Sequence, residues 1–171
     1  MDSALDAHAK APSEGLRSQG LYFEDFEVGL VLTSPRRTVT ESDIVRFAGL
    51  SGDFHPLHTD EEYARRTAFR GRIAHGLLVQ SMSTGLVMQT GVFHGTLAAL
   101  ESMVVQYRGP VRPGDTISTR LEVVERQTPP NRKRGWVRLV SRVENQRGEC
   151  VIEGEWRTIL MRRVPGPGQG E

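Results

Sequence analysis

The chain has 171 residues, of which 37% are hydrophobic, 25% charged and 6% aromatic, with a formal net charge of +1. That length suits one domain with a substantial core, and the near-neutral balance gives no support to nucleic acid or an anionic membrane as the main partner. A lone cysteine, Cys150, has no partner for an intrachain disulfide, which points to a reducing, cytoplasmic setting.

Met1 to Gly20 carries a charge every few residues and lacks the continuous apolar core of a secretory signal, so a disordered leader is expected over 1–20. No later segment approaches the roughly 18 uninterrupted apolar residues that a membrane span needs. Tyr22, Phe23 and Phe26, closed by Gly29, suggest a segment laid across the edge of a core. Leu30 to Val39 reads as a short strand in which Pro35 limits pairing.

Thr40-Glu-Ser-Asp43 puts a hydroxyl at a helix N-cap and a carboxylate three residues on, a capping box with Asp in the Glu position. Ile44, Val45, Phe47, Ala48 and Leu50 follow at helical spacing, so a helix is expected from Glu41 to Ala48. It delivers a segment, Gly52 to His58, that reads as a loop, because Gly is conformationally loose and Pro56 keeps its predecessor out of the helical region. Thr59 or Asp60 then caps a short helix from Glu61 to Arg66. His75 to Phe93, with Leu77, Leu78, Met82, Leu86, Val87 and Met88, has the length and apolar density of a buried helix.

From Thr96 the pattern changes to strands, over Leu97–Tyr107, Thr116–Arg126, Trp136–Val143 and Cys150–Met161. The breaks at 109–115, 129–135 and 146–148 are rich in Gly, Pro and Asn. Ile117, Thr119, Leu121 and Val123 alternate with polar residues, as do Val137, Leu139, Ser141 and Val143. Strands apolar on one face must cover something, and the single long apolar helix is the available partner. The expected fold is α+β, a curved antiparallel sheet wrapped around a long central helix. The domain is expected over 21–163, with a Gly- and Pro-rich flexible tail over 164–171.

The segment holding Asp53 and His58 is the candidate active site, since a carboxylate and an imidazole five residues apart can serve as a general acid–base pair. The run Phe47-Ala-Gly-Leu-Ser-Gly-Asp-Phe-His-Pro-Leu-His58, followed by Thr-Asp-Glu-Glu-Tyr-Ala64 and then Ala74-His-Gly-Leu-Leu78, resembles the hydratase signature of MaoC-like proteins. These are (R)-specific enoyl-CoA hydratases of the hot-dog fold, and the likeness covers roughly residues 20 to 163. One position departs from the pattern: the family commonly has Asn before the Pro, where this chain has His55.

The resemblance implies reversible hydration of trans-2-enoyl-CoA thioesters to (3R)-hydroxyacyl-CoA, with CoA as part of the substrate and no separate cofactor. It assigns Asp53 to orienting and deprotonating the water and His58 to supplying the other proton. Gly76 is the oxyanion donor: at the first turn of a helix its N–H is unpaired, the dipole favours negative charge, and no side chain blocks a carbonyl. A homodimer or higher even oligomer with continuous sheets is implied as well. Two other readings stay open, a hot-dog acyl-CoA thioesterase and a non-catalytic acyl-thioester binding module.

Among the remaining candidates, His75 reads as a structural residue orienting the helix start. His55, Ser81 and Thr84 are possible substrate contacts, although hydroxyls in a buried helix as often bond back to its own carbonyls. His-x2-His in a Pro-containing segment lacks the spacing of an established metal site, so no metal is expected. Arg36, Arg37, Arg108, Arg112 and the 132–134 turn are candidates for CoA phosphates, but a solvated charge is the commoner role for any one of them and none is named as a site. No Gly-x-Ser-x-Gly elbow supports a serine hydrolase.

Overall fold

The computed structural model describes residues 19–128 and 133–163. Residues 1–18 of the expected leader, positions 129–132 of the second strand break and the tail from 164 lie outside them. Gly20, placed in the leader by sequence, already belongs to the fold. Its N–H donates to the His94 carbonyl at 2.7 Å, and a Cβ at this position would meet Val92 O and His94 N at 2.6 Å. A 3-10 turn, Phe23–Asp25, then drives Phe23 and Phe26 into the core.

The stretch expected as one strand is two, β1 (Val31–Thr33) and β2 (Arg37–Thr38). Ser34 and Pro35 separate them, Pro having no N–H for the ladder. Helix α1 runs Glu41–Ser51 and carries the expected capping box, with Thr40 Oγ1 accepting from Asp43 N–H and Asp43 accepting from Thr40 N–H. It extends three residues past the expected Ala48. Gly52, at φ 76°, supplies the left-handed C-terminal residue that ends a helix cleanly.

A further one-turn helix, α2 (Pro56–Thr59), lies inside the segment expected to be a loop. Pro56 stands at its first position, where the missing N–H costs nothing, so His58 sits on a helical turn. Asp60 caps α3 (Glu61–Arg65) by accepting from Tyr63 N–H at 2.9 Å. The central helix α4 spans Gly76–Gln89 and stops short of the expected Phe93. Thr90 and Gly91, the latter at φ 73°, turn the chain there.

Four long strands complete the fold: β3 (Leu97–Tyr107), β4 (Thr116–Gln127), β5 (Arg134–Glu144) and β6 (Cys150–Met161). The antiparallel order is β1-β4-β5-β6-β3, with β2 also beside β4. Bulges between Val123 and Glu125 and along β3 bend the sheet. The alternation seen in sequence is the inner face: Ile117, Thr119, Leu121, Val123, Val137, Leu139, Ser141 and Val143 are all buried. Leu78, Val79, Met82 and Leu86 of α4 pack with Ile117, Val143, Val151 and Ile152. A buried hydroxyl pair, Thr119 Oγ1 donating to Ser83 Oγ at 2.8 Å, pins α4 to β4. This is the sheet wrapped around a helix that defines the hot-dog fold. Among the described residues, no helix is long and apolar enough to cross a membrane.

Candidate active site

Helix α1 ends by handing the chain to Asp53. Ser51, bonded through Oγ to the Phe47 carbonyl at 2.7 Å, accepts from Asp53 N–H at 3.2 Å. The Asp53 carboxylate is held in turn, Oδ1 accepting from His55 N–H at 3.1 Å. His58 follows on α2, half-buried, with its Nδ1 2.8 Å from the Ile73 carbonyl oxygen. A carbonyl only accepts, so Nδ1 carries the hydrogen and Nε2 presents a lone pair. Burial pushes the His58 imidazole below its ordinary range; the Ile73 carbonyl and Asp53 oppose this, while His75 and His55 add to it. His58 is therefore held toward its neutral form.

The first turn of α4 approaches from the other side. His75 is buried, its ring stacked on His58 with centroids 3.8 Å apart, and its Nε2 lies 2.9 Å from the Asp53 carbonyl oxygen. Gly76 is next in the chain. The Tyr107 ring, at the end of β3, lies so close that a Cβ on Gly76 would sit 2.5 Å from it. A side chain at this position would have to displace the Tyr107 ring, whereas glycine leaves both the ring and the N–H undisturbed.

Asp53, His58, His75 and Gly76 all border one cavity of about 630 Å³. Its walls include Phe47, Phe69, Val79, Val111 and Ile152, an apolar lining with few polar groups, as ligand sites usually have. The three sequence-predicted chemical groups, Asp53, His58 and Gly76, are brought together here. Among the described residues, the set that could hold a metal ion is Asp53, His58 and His75, each with one donor atom within 4.8 Å of the others. The two imidazole planes are only 28° apart in the stack. Lone pairs lie in the ring planes, so they run side by side instead of converging as one cation requires.

Residues 28–145 match the family model of the MaoC like domain, a span that holds all four of these residues. The chain belongs to the MaoC-like family. It is 38% identical over 135 residues to a 3-hydroxybutyryl-CoA dehydratase of Methylorubrum extorquens, covering 79% of this chain and 81% of the relative. Against an (R)-specific enoyl-CoA hydratase of Rhodospirillum rubrum the identity is 37% over 142 residues, with 83% and 93% covered. The solved structure of a MaoC-like dehydratase from Rhodospirillum rubrum superposes with a TM-score of 0.77 at 31% identity, covering 85% of this chain and 99% of that one.

Within this MaoC-like frame, the other predicted contacts lie outside the cavity lining. Ser81 Oγ donates to the Leu77 carbonyl at 2.8 Å and Thr84 Oγ1 to the Gln80 carbonyl at 3.0 Å, satisfying both hydroxyls within α4. His55 is exposed and caps α2, its Nδ1 accepting from Leu57 N–H at 3.1 Å. Of the arginines, Arg108 lines the cavity while pairing with Glu153 at 3.0 Å. Arg37 pairs with Asp43 at 2.6 Å, and Arg112 donates to the Phe69 carbonyl. Sequence reading placed His75 at the helix start as a structural residue but did not show its contact with Asp53, and it missed Tyr107 altogether. His75 stands beside Gly76 in the same motif, but only the fold shows its reach to Asp53; nothing in the local pattern around Tyr107 marks it as a neighbour of Gly76.

Proposed function

We propose that the protein is a hydro-lyase that adds water to trans-2-enoyl-CoA thioesters to give (3R)-hydroxyacyl-CoA and catalyses the reverse dehydration. The observation that carries this reading is the convergence of a carboxylate, an imidazole held through Nδ1 by a backbone carbonyl and the first residue of a helix on one apolar cavity. The similarity to a 3-hydroxybutyryl-CoA dehydratase and an (R)-specific enoyl-CoA hydratase supports the same class. CoA is part of the substrate, and the reaction needs no further cofactor.

The hydrogen bond at His58 favours a revised division of labour. An imidazole that presents a lone pair at Nε2 must receive a proton before it can supply one. In the hydration direction, Asp53 accepts a hydrogen bond from the water and orients it, and Nε2 of His58 takes the proton of its other O–H. The hydroxide equivalent bonds to C3 as the C2–C3 double bond shifts its electrons onto the thioester oxygen. Gly76 N–H donates to that oxygen, supported by the positive end of α4. The His58 imidazolium then returns its proton to C2, restoring both the thioester carbonyl and neutral His58. Hydrogen and hydroxyl arrive from one face, a syn addition, and dehydration reverses each step.

Loss of the conjugated enoyl-thioester absorbance reads the reaction directly. Asp53→Asn and His58→Ala are each expected to lower kcat by about 10²–10⁴-fold, the usual worth of a general acid–base group, with thermal unfolding near that of the wild type. Unchanged kcat in both variants would remove the dyad from the mechanism.

A further inference from the structure

We propose that His75 is the positioning residue of this site, a clamp that holds the Asp53 segment, the His58 imidazole and the Gly76 amide in one frame. Its consequence for turnover rests on the hydratase reading; the clamp itself rests on geometry. His75 is 3% exposed and occupies the N-cap position of α4, yet its side chain caps nothing. Instead Nε2 reaches back to the Asp53 carbonyl at 2.9 Å. Because that oxygen can only accept, Nε2 carries the hydrogen. Among the described residues, the buried Nδ1 has no hydrogen-bond partner. A residue there only to fill space would be apolar, since an unpartnered buried polar atom is unfavourable.

The ring face is used as well. It stacks on His58 at 3.8 Å and packs against Phe47 of α1 at 5.1 Å. His75 thus touches the carboxylate-bearing residue through a hydrogen bond, the imidazole through a stack and the oxyanion donor through the peptide bond. Asp53 and His58 come from one segment and Gly76 from the start of α4, and a displacement of about 1 Å among reacting groups costs on the order of 10²-fold in rate. The titratable groups facing His58 are Asp53 and His55 from its own segment and His75 from α4, with Tyr107 and Arg108 bordering the same cavity from the end of β3. Burial pushes His58 down first, and the neighbouring His75 adds to it.

The test uses the full chain and two variants. His75→Phe keeps an aromatic ring and removes the donor to Asp53; His75→Gln keeps a donor of similar reach and removes the ring. With a trans-2-enoyl-CoA, His75→Phe is expected to lower kcat by about 10²-fold with KM close to wild type, and His75→Gln to recover most of that loss. In both variants the His58 ring titration, followed by NMR, is expected to move to higher pH. Amide exchange at Phe54 and His55 is expected to speed up in His75→Phe and stay slow in His75→Gln. Wild-type kcat in His75→Phe, or equal losses in both variants with an unmoved His58 titration, overturns the proposal. If the wild-type protein fails to hydrate any enoyl thioester, the hydratase reading falls. The NMR and exchange measurements then decide the clamp on their own, and wild-type values in His75→Phe reject it.

Discussion

His55 is the position at which this chain departs from the MaoC-like signature, and its three polar groups link Asp53 to the turn that bears His58. Its N–H holds Asp53 Oδ1, its carbonyl accepts from His58 N–H at 2.9 Å, and its Nδ1 caps the turn that bears His58. Deleting the cap with His55→Ala is expected to cost about 1 kcal/mol of stability and to lower kcat. His55→Asn, whose side-chain oxygen can accept the same bond, is expected to restore both, as read by thermal unfolding and steady-state kinetics. At His58 the sign of the pH dependence follows from burial: the folded-state pKa is depressed, and in the proposed mechanism the base form is the active one. Activity is present above the folded-state pKa and is lost as pH falls through it. The acid limb of kcat/KM is therefore expected below the ordinary imidazole midpoint of about 6.5, and a limb at or above that value contradicts the assignment. Sequence singled out Asp53, His58 and Gly76 as candidates because each sits in a local motif. It could not show that the Tyr107 ring closes over Gly76, since that contact exists only once β3 lies beside α4.

Among the elements, the capping box of α1 and the alternation of β4 and β5 were readable because each is a local pattern whose physical cause is also local. Helix α2 was hidden by Pro56, which breaks a helix in its interior and starts one at its first position. Strand β3 carries a different kind of information. It ends the sheet order, and Leu100, Val104 and Tyr107 on it are exposed. A long edge strand with apolar residues is an unpaired template, and a second copy aligned antiparallel would extend the sheet across both subunits. The exposed Leu77 and Met88 of α4 add apolar surface of the same kind. We expect Val104→Lys, a charge of the sort that blunts sheet edges, to shift the protein to monomer in sedimentation or light scattering. A wild-type protein that is already monomeric would dispose of this pairing.

At the scale of the whole molecule, the site exists because the sheet brings distant segments to one end of α4. The end of α1 supplies Phe47, the following segment supplies Asp53 and His58, and the turn after β3 adds Arg108 to Val111; Ala74 N–H is tied to the Val111 carbonyl at 2.7 Å. That turn is itself anchored by Asp115, which accepts from Arg112 N–H at 2.8 Å and from Gln146 at 2.7 Å. Residue types and spacing indicated acid–base chemistry, which needs few groups that the motif keeps close, while the resemblance to MaoC-like proteins carried the reaction class. The cavity's shape was not readable, because residues as far apart in sequence as Phe47, Phe69 and Ile152 build its wall. The central claim is tested most directly by identifying the products formed from a trans-2-enoyl-CoA by the full chain, with chiral analysis and thiol titration on the same sample. The account expects (3R)-hydroxyacyl-CoA with no thiol released; free CoA as the product, or the (3S) alcohol, would contradict it.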